Sequence, residues 1–243
     1  TLVGAPDTLP IVNLSGFKLA GAQTSRTARR MVIDSMYNGT VDPLKAAGLT
    51  TLQTIDTLAQ ISFTTYQPSG GANYGTSSFG TSMKSVAALL KAQVGVEAVA
   101  IDVNGWDTHT NQGNISGTMA ALMATIAQVL AAFDTDMTAG ATQPSYIAVV
   151  MSEFGRRAQE NGSAGTDHGH GNCMLVLGSA VQGGRVVSQW PGLAPGQLYE
   201  GLDLDVTIDY RDILAEICAQ RLGAPDLSVI FPEHAPTFRN IVA

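Results

Sequence analysis

The stretch that most constrains this chain runs from Tyr146 to Cys173, YIAVVMSEFGRRAQENGSAGTDHGHGNC. Its opening run, Tyr146 to Met151, is apolar, dense in Val and Ile, and long enough for one buried strand. The run stops abruptly at Ser152-Glu153-Phe154-Gly155-Arg156-Arg157, so charge arrives where the strand ends. A polar, Gly-rich loop then leads to Asp167-His168-Gly169-His170-Gly171-Asn172, and Cys173 to Leu177 resumes an apolar strand pattern. In an open α/β sheet, ligands sit outside the carboxyl ends of strands, so this loop is where chemistry is expected. The chain has four histidines. Two lie in this loop, and a third, His109, follows another apolar run in Gly105-Trp106-Asp107-Thr108-His109.

A chain of 243 residues is long enough to bury a sizeable core, and one α/β domain over 1–243 is the simplest organisation. Within it, 1–73 reads as a helical and irregular N-terminal part and 74–243 as the region carrying the polar loops. The charged fraction of 14% is well below the usual ~25%, with Thr, Ser, Asn and Gln taking up polar surface. A net charge of -7 argues against nucleic acid or an anionic membrane as main partner. An anionic substrate would have to be attracted locally, by a metal or by Arg156 and Arg157. Two cysteines, Cys173 and Cys218, allow one disulfide without requiring it. No apolar run reaches the length of a membrane span, and TLVGAPDTLP shows no export signal.

In chain order, Leu9 to Leu14 reads as an edge strand with Pro10 near its start. Helices are expected over Ser25 to Tyr37, with Met31, Val32 and Met36 as its apolar stripe, and over Thr40 to Phe63. Thr64 to Thr81 is a loop, followed by a helix from Ser82 to Val94 and a strand over Glu97 to Val103, buried on both faces. A long helix from Thr118 to Met137 precedes the Tyr146 strand. A final helix from Asp209 to Leu222 ends at Gly223. The helix-then-strand order is the α/β signature.

Clustered His, Asp and Glu at strand ends supply the donors that divalent cations select: imidazole and carboxylate suit Zn, Mn and Fe, and oxygen-rich sites suit Mg or Ca. Asp107 with His109, and Asp167 with His168 and His170, meet in space if their strands are neighbours. Glu153 can ligate metal, act as a general base, or pair with Arg156 or Arg157. The arginines can grip an oxyanion through a bidentate fork, or stand as solvated surface charges. Asn172 and Cys173 read as structural, Trp106 as a partly buried aromatic, and His234 as a surface histidine. No G-x-S-x-G elbow, phosphate-binding P-loop or dinucleotide fingerprint is present.

From about Tyr74 onward the chain resembles the domain-of-unknown-function 1501 family, grouped with the alkaline phosphatase and sulfatase superfamily. The matching motifs are Gly105-Trp106-Asp107-Thr108-His109 with Asn111-Gln112, Met151 to Arg157, Glu160-Asn161-Gly162-Ser163, Gly165-Thr166-Asp167-His168-Gly169, and Thr207-Ile208-Asp209-Tyr210-Arg211. The resemblance implies a three-layer α/β/α sandwich around a mostly parallel sheet, alkaline-phosphatase-like and lacking the N-terminal part. It also implies a divalent metal (Zn, or Mg, Mn or Ca) held by Asp107, His109, Asp167, His168 and His170. Glu153 and Arg156 are the catalytic candidates, Arg156 holding a non-bridging oxygen of a phosphate or sulfate ester. Family members carry a further N-terminal segment with an Asp and the metal-bridging nucleophile. Nothing here matches it, so a processed piece completed by a partner polypeptide is expected, or an incomplete site in an extracellular structural or binding protein. Export to the periplasm or beyond, often by the twin-arginine route, follows from the same resemblance, while a homo-oligomer is left open by the sequence. One departure is the Asp107-x-His109 spacing, where the superfamily has Asp-x-x-x-His.

Overall fold

The computed structural model describes Thr8 and residues 10–243. Two compact units emerge: unit 1 comprises Thr1–Asn104 with Ala127–Pro144, and unit 2 comprises Gly105–Ile126 with Ser145–Ala243.

Unit 1 is helical. Helices α1 (Arg26–Asn38) and α2 (Leu44–Leu58) pack against each other. Gly48 permits this, because a Cβ there would stand 2.2 Å from the Tyr37 ring. An Arg30–Asp56 ion pair at 3.0 Å joins the two helices at their surface. The apolar periodicity of α2 is real: Leu52, Ile55 and Leu58 are buried. The stripe expected on α1 is not a core face, since Met31, Val32 and Met36 are all exposed. Helix α3 (Ser78–Lys91) begins earlier than its apolar pattern suggests, because the Ser77 hydroxyl accepts the Gly80 amide and caps it. Leu58, Phe63, Ala88 and Leu89 form one core cluster, with Leu14, Phe17 and Tyr66 packed on it.

Helix α4 (Thr118–Thr138) is shared, with residues from Ala127 onward in unit 1. Against the sequence-based expectation, it is long and apolar enough to cross a membrane by length and composition. Its residues Val129, Leu130, Phe133 and Met137 are buried, as is the carboxylate of Asp136. Asp136 accepts from the Tyr66 and Tyr74 hydroxyls, the Ser69 amide and the Lys91 ammonium, so its charge is compensated on every side.

Unit 2 holds the strands. β1 (Ile147–Val150) and β4 (Leu175–Gly178) pair antiparallel, Val149 opposite Val176; β2 (Gly155–Arg156) and β3 (His168–Gly169) do the same, Arg156 opposite His168. Helix α5 (Tyr210–Arg221) starts at Asp209, whose side chain accepts the Arg211 amide, and Gly223 follows it at φ +63°. A short α6 (Leu227–Ile230) comes next. The core gathers Ile213, Ile241 and Val242 with Ile147, Val176 and Ile217. His234 is no surface residue. Its side chain is 13% exposed and its Nε2 lies 3.0 Å from the buried Asp212. Glu216, also buried, accepts the Arg239 and Val242 amides and so ties the C-terminal segment to α5.

The α/β/α sandwich is therefore not formed: among the described residues the only sheets are two antiparallel pairs. A parallel sheet needs strands buried on both faces beneath helices. Residues 97–103 form no strand, Val99 is 44% exposed, and β1 is half-buried along its length. The Val-rich run of β1 instead pairs with the next apolar run, β4. The expected edge strand is also replaced. Leu9 lies outside the described residues, and Leu14–Gly16 is a 3-10 turn closed by the Asn13 side chain. Cys173 is exposed, Cys218 half-buried, and both are free thiols.

Candidate metal centre

Two irregular loops of unit 2 are laced together before any functional group is placed. The Asn111 amide donates to the Ser163 carbonyl at 3.0 Å and the Gln112 amide to Ala164 at 2.8 Å. The Gln112 side-chain oxygen accepts from the hydroxyls of Thr108 (2.9 Å) and Thr166 (2.7 Å). Gly165 makes the approach possible, since a Cβ on it would stand 2.2 Å from the His109 carbonyl carbon. Asn161 adds the final tie, its amide nitrogen donating to the His109 carbonyl and to Asp167 Oδ1, each at 3.0 Å.

This lacing brings Asp107, His109 and His168 together. Asp107 Oδ1 lies 2.7 Å from His168 Nε2 and 3.0 Å from His109 Nε2. One ligand atom from each of the three residues lies within 4.8 Å of the others. The other nitrogen of His109, Nδ1, is 3.0 Å from Asp167 Oδ1. A carboxylate only accepts, so Nδ1 carries a proton toward Asp167, and an Nε2 without a proton of its own sets a lone pair against a second carboxylate, that of Asp107. Two acceptors at that separation require positive charge on or between them. A divalent cation meets that need, and two imidazoles with one carboxylate are a donor set suited to it.

Without a cation, protonated imidazoles supply that positive charge instead. The hydrogen bond from His168, then the charges of His109, His168 and Arg156, hold the Asp107 carboxyl below the usual range. Hydrogen bonds from Asn161 and His109 do the same for Asp167. Both groups are thus ionised acceptors at neutral pH. The side chains of Asp107, His109 and His168 are 62%, 44% and 46% exposed, so the cluster faces solvent. The Phe154 ring stacks on His168 at 3.8 Å between centroids, tilted by 15°. Arg156 lies over the same Phe154 ring, 5.0 Å from its centre.

Of the expected ligands, then, Asp107, His109 and His168 converge. Asp167 stands one shell out, orienting His109 in the carboxylate–histidine arrangement common around bound metals. His170 turns elsewhere, its Nδ1 2.7 Å from Asp203 Oδ2. Glu153 is exposed, with no side-chain partner among the described residues. Arg156 does not present its fork to a ligand: it donates to the carbonyls of Trp106 and Thr166 and, at 3.3 Å, to the Thr108 hydroxyl. It is a clasp between the loops. Asn161, Gln112 and Asp203 were missed as functional supports. The first two lie in the polar loops already singled out, whereas nothing near Asp203 in sequence announces its histidine partner.

The model of the family described as "protein of unknown function (DUF1501)" matches residues 26–226. No curated protein and no solved structure matches the chain.

Proposed function

Given that the chain belongs to the domain-of-unknown-function 1501 family, we propose that it is a divalent-metal-dependent hydrolase of phosphate or sulfate esters that works outside the cytoplasm. The observation that carries this reading is the meeting of Asp107, His109 and His168 around one point open to solvent. A divalent cation bound there supplies Lewis acidity, polarising an ester oxygen and lowering the pKa of water. The assignment to ester hydrolysis is taken from the alkaline phosphatase and sulfatase superfamily with which the family is grouped, whose Asp-His-Gly pattern is matched by Asp167-His168-Gly169. Export rests on the same resemblance.

The residues of this chain divide the remaining work. Asp167 holds the His109 ring through Nδ1, keeping Nε2 directed at the centre. Phe154 packs flat on His168 and limits its rotation. In the reaction, the oxygen of water bonds to phosphorus or sulfur, the bond to the alcohol oxygen breaks, and the water's proton ends on the departing oxygen. Glu153, next to Phe154 in sequence and without a side-chain partner among the described residues, is the carboxylate we assign to hold that proton in passing.

A second reading is favoured by one observation. Arg156, the arginine that would grip the ester, is committed to backbone carbonyls. That suits an extracellular structural or binding protein in which a cation merely ties two loops. Initial rates on aryl phosphate and aryl sulfate esters, before and after chelation, separate the two. Hydrolysis that chelation abolishes and added Zn2+ restores supports the hydrolase. A chain that binds metal yet turns over neither ester supports the binding protein.

A further inference from the structure

Unit 1 carries a cavity of about 230 Å3 to which no residue of the metal centre contributes. Its floor follows from the sequence around the end of α2. The helical periodicity buries Leu58, and the chain then turns back at once: the Ile61 amide donates to the Leu58 carbonyl at 3.1 Å and the Phe63 amide to the Ile61 carbonyl at 3.0 Å. Leu58 and Phe63 are buried, and Leu14, Phe17 and Ile61 pack on them half-buried. All five line the cavity, so its floor is apolar.

Two cations line the same cavity, Lys18 and Arg26, the first residue of α1. Neither has an ion pair or a side-chain hydrogen bond among the described residues. The other arginines of α1 are engaged: Arg29 donates to the Ala22 carbonyl and the Ser25 hydroxyl, and Arg30 pairs with Asp34 at 2.9 Å and Asp56 at 3.0 Å. Those two aspartates are the acidic residues of α1 and α2, so neither helix has a carboxylate left for Arg26. No acidic residue lines the cavity or stands in the first turn of α1. In a chain of net charge -7, this is a place where an anion is attracted locally. An apolar floor beside uncompensated cations is complementary to a molecule with an apolar body and an anionic head. The volume is below the ~300–1,000 Å3 usual for pockets that take drug-sized ligands, so the molecule is small.

We propose that this cavity binds a short apolar monocarboxylate, its tail on Leu58, Phe63 and the residues packed on them, its carboxylate accepting from the Arg26 guanidinium and the Lys18 ammonium. The tail leaves water as it covers the floor, and the headgroup gives both cations the counter-charge that the chain itself does not supply. The site is independent of the metal centre and of the hydrolase reading, so each stands or falls alone.

The test titrates the full chain, freed of metal by chelation and dialysis, with octanoate in a calorimeter. The wild type binds it saturably at one site. Hexanoate, two methylenes shorter, binds about fifteenfold more weakly, since each buried methylene is worth about fourfold in affinity. The neutral 1-octanol binds about tenfold to a hundredfold more weakly than octanoate, the loss expected for charge-assisted hydrogen bonds. Combining Lys18→Gln with Arg26→Gln brings octanoate down to the level of 1-octanol and leaves 1-octanol itself unchanged, which also shows that the floor is still folded. Lys18→Gln alone, at an exposed side chain, gives an intermediate loss. The proposal is overturned if the wild type does not bind octanoate, if the doubly substituted chain binds it as tightly as wild type, or if hexanoate binds as tightly as octanoate.

Discussion

Replacing Asp136 with alanine is the substitution whose cost can be worked out most completely. The Asp136 carboxylate is fully buried and accepts from Tyr66 and Tyr74 (2.9 Å each), the Ser69 amide (2.8 Å) and Lys91 (2.8 Å). Lys91 is itself only 11% exposed on its side chain. Asp136→Ala leaves that ammonium without its counter-charge and takes an acceptor from two hydroxyls, and breaking a buried pair from one side costs roughly 3–5 kcal/mol. Adding each bond separately would exceed this, because hydrogen bonds to charged groups contribute about 1.5–3 kcal/mol apiece. The lower range applies because the amide and hydroxyls recover part of their bonding elsewhere. Against a typical total of about 5–15 kcal/mol, the loss is large enough to lower the urea midpoint visibly at pH 7. Tyr74→Phe, which removes one hydroxyl, is expected to cost about 1–2 kcal/mol. The pH dependence has a definite sign. Burial opposes the charge of Asp136, yet Lys91, the Ser69 amide and the two tyrosines outweigh it and hold the folded carboxyl below its ordinary value. The stabilisation is therefore full above the unfolded value of about 3.9 and drains as pH falls through the lower folded one. Urea denaturation followed by circular dichroism reads both effects. An Asp136→Ala chain within about 1 kcal/mol of wild type at pH 7 would refute the reasoning, since no buried charge pair could then be at stake.

Two substitutions around the metal centre have equally definite outcomes. Asp167→Ala removes the acceptor on His109 Nδ1 and should weaken Zn2+ binding by about tenfold to a hundredfold, measured by competition with a chelating dye. Gly165→Ala places a methyl group 2.2 Å from the His109 carbonyl carbon, so the two loops must separate; Zn2+ affinity and the melting temperature should fall together.

The parts of this molecule that the sequence disclosed are those governed by local chemistry. Helix α4 starts at Thr118 as expected, and α5 begins where Asp209 caps it. Asp107, His109 and His168 could be singled out because imidazole and carboxylate gathered in polar loops after apolar runs. Sheet topology was not legible in the same way. A Val-rich run such as Ile147–Val150 is compatible with a parallel neighbour or an antiparallel one, and the choice is made by a partner elsewhere in the chain. The same limit hid Asp203, whose role depends on a bridge to Arg157. It also led to His234 being read as exposed, although it is held against α5 by Asp212. Arg156 and Arg157 are indistinguishable in sequence, and only the β2–β3 register sends one to backbone carbonyls and the other toward Asp203.

The most direct measurement of the central claim is a Zn2+ titration of the wild-type chain beside Asp107→Ala, His109→Ala and His168→Ala. A cation shared by these three side chains predicts one saturable site in the wild type that each substitution abolishes, with the fold retained by circular dichroism. Zn2+ binding that survives all three substitutions, or no binding by the wild type at all, would contradict it.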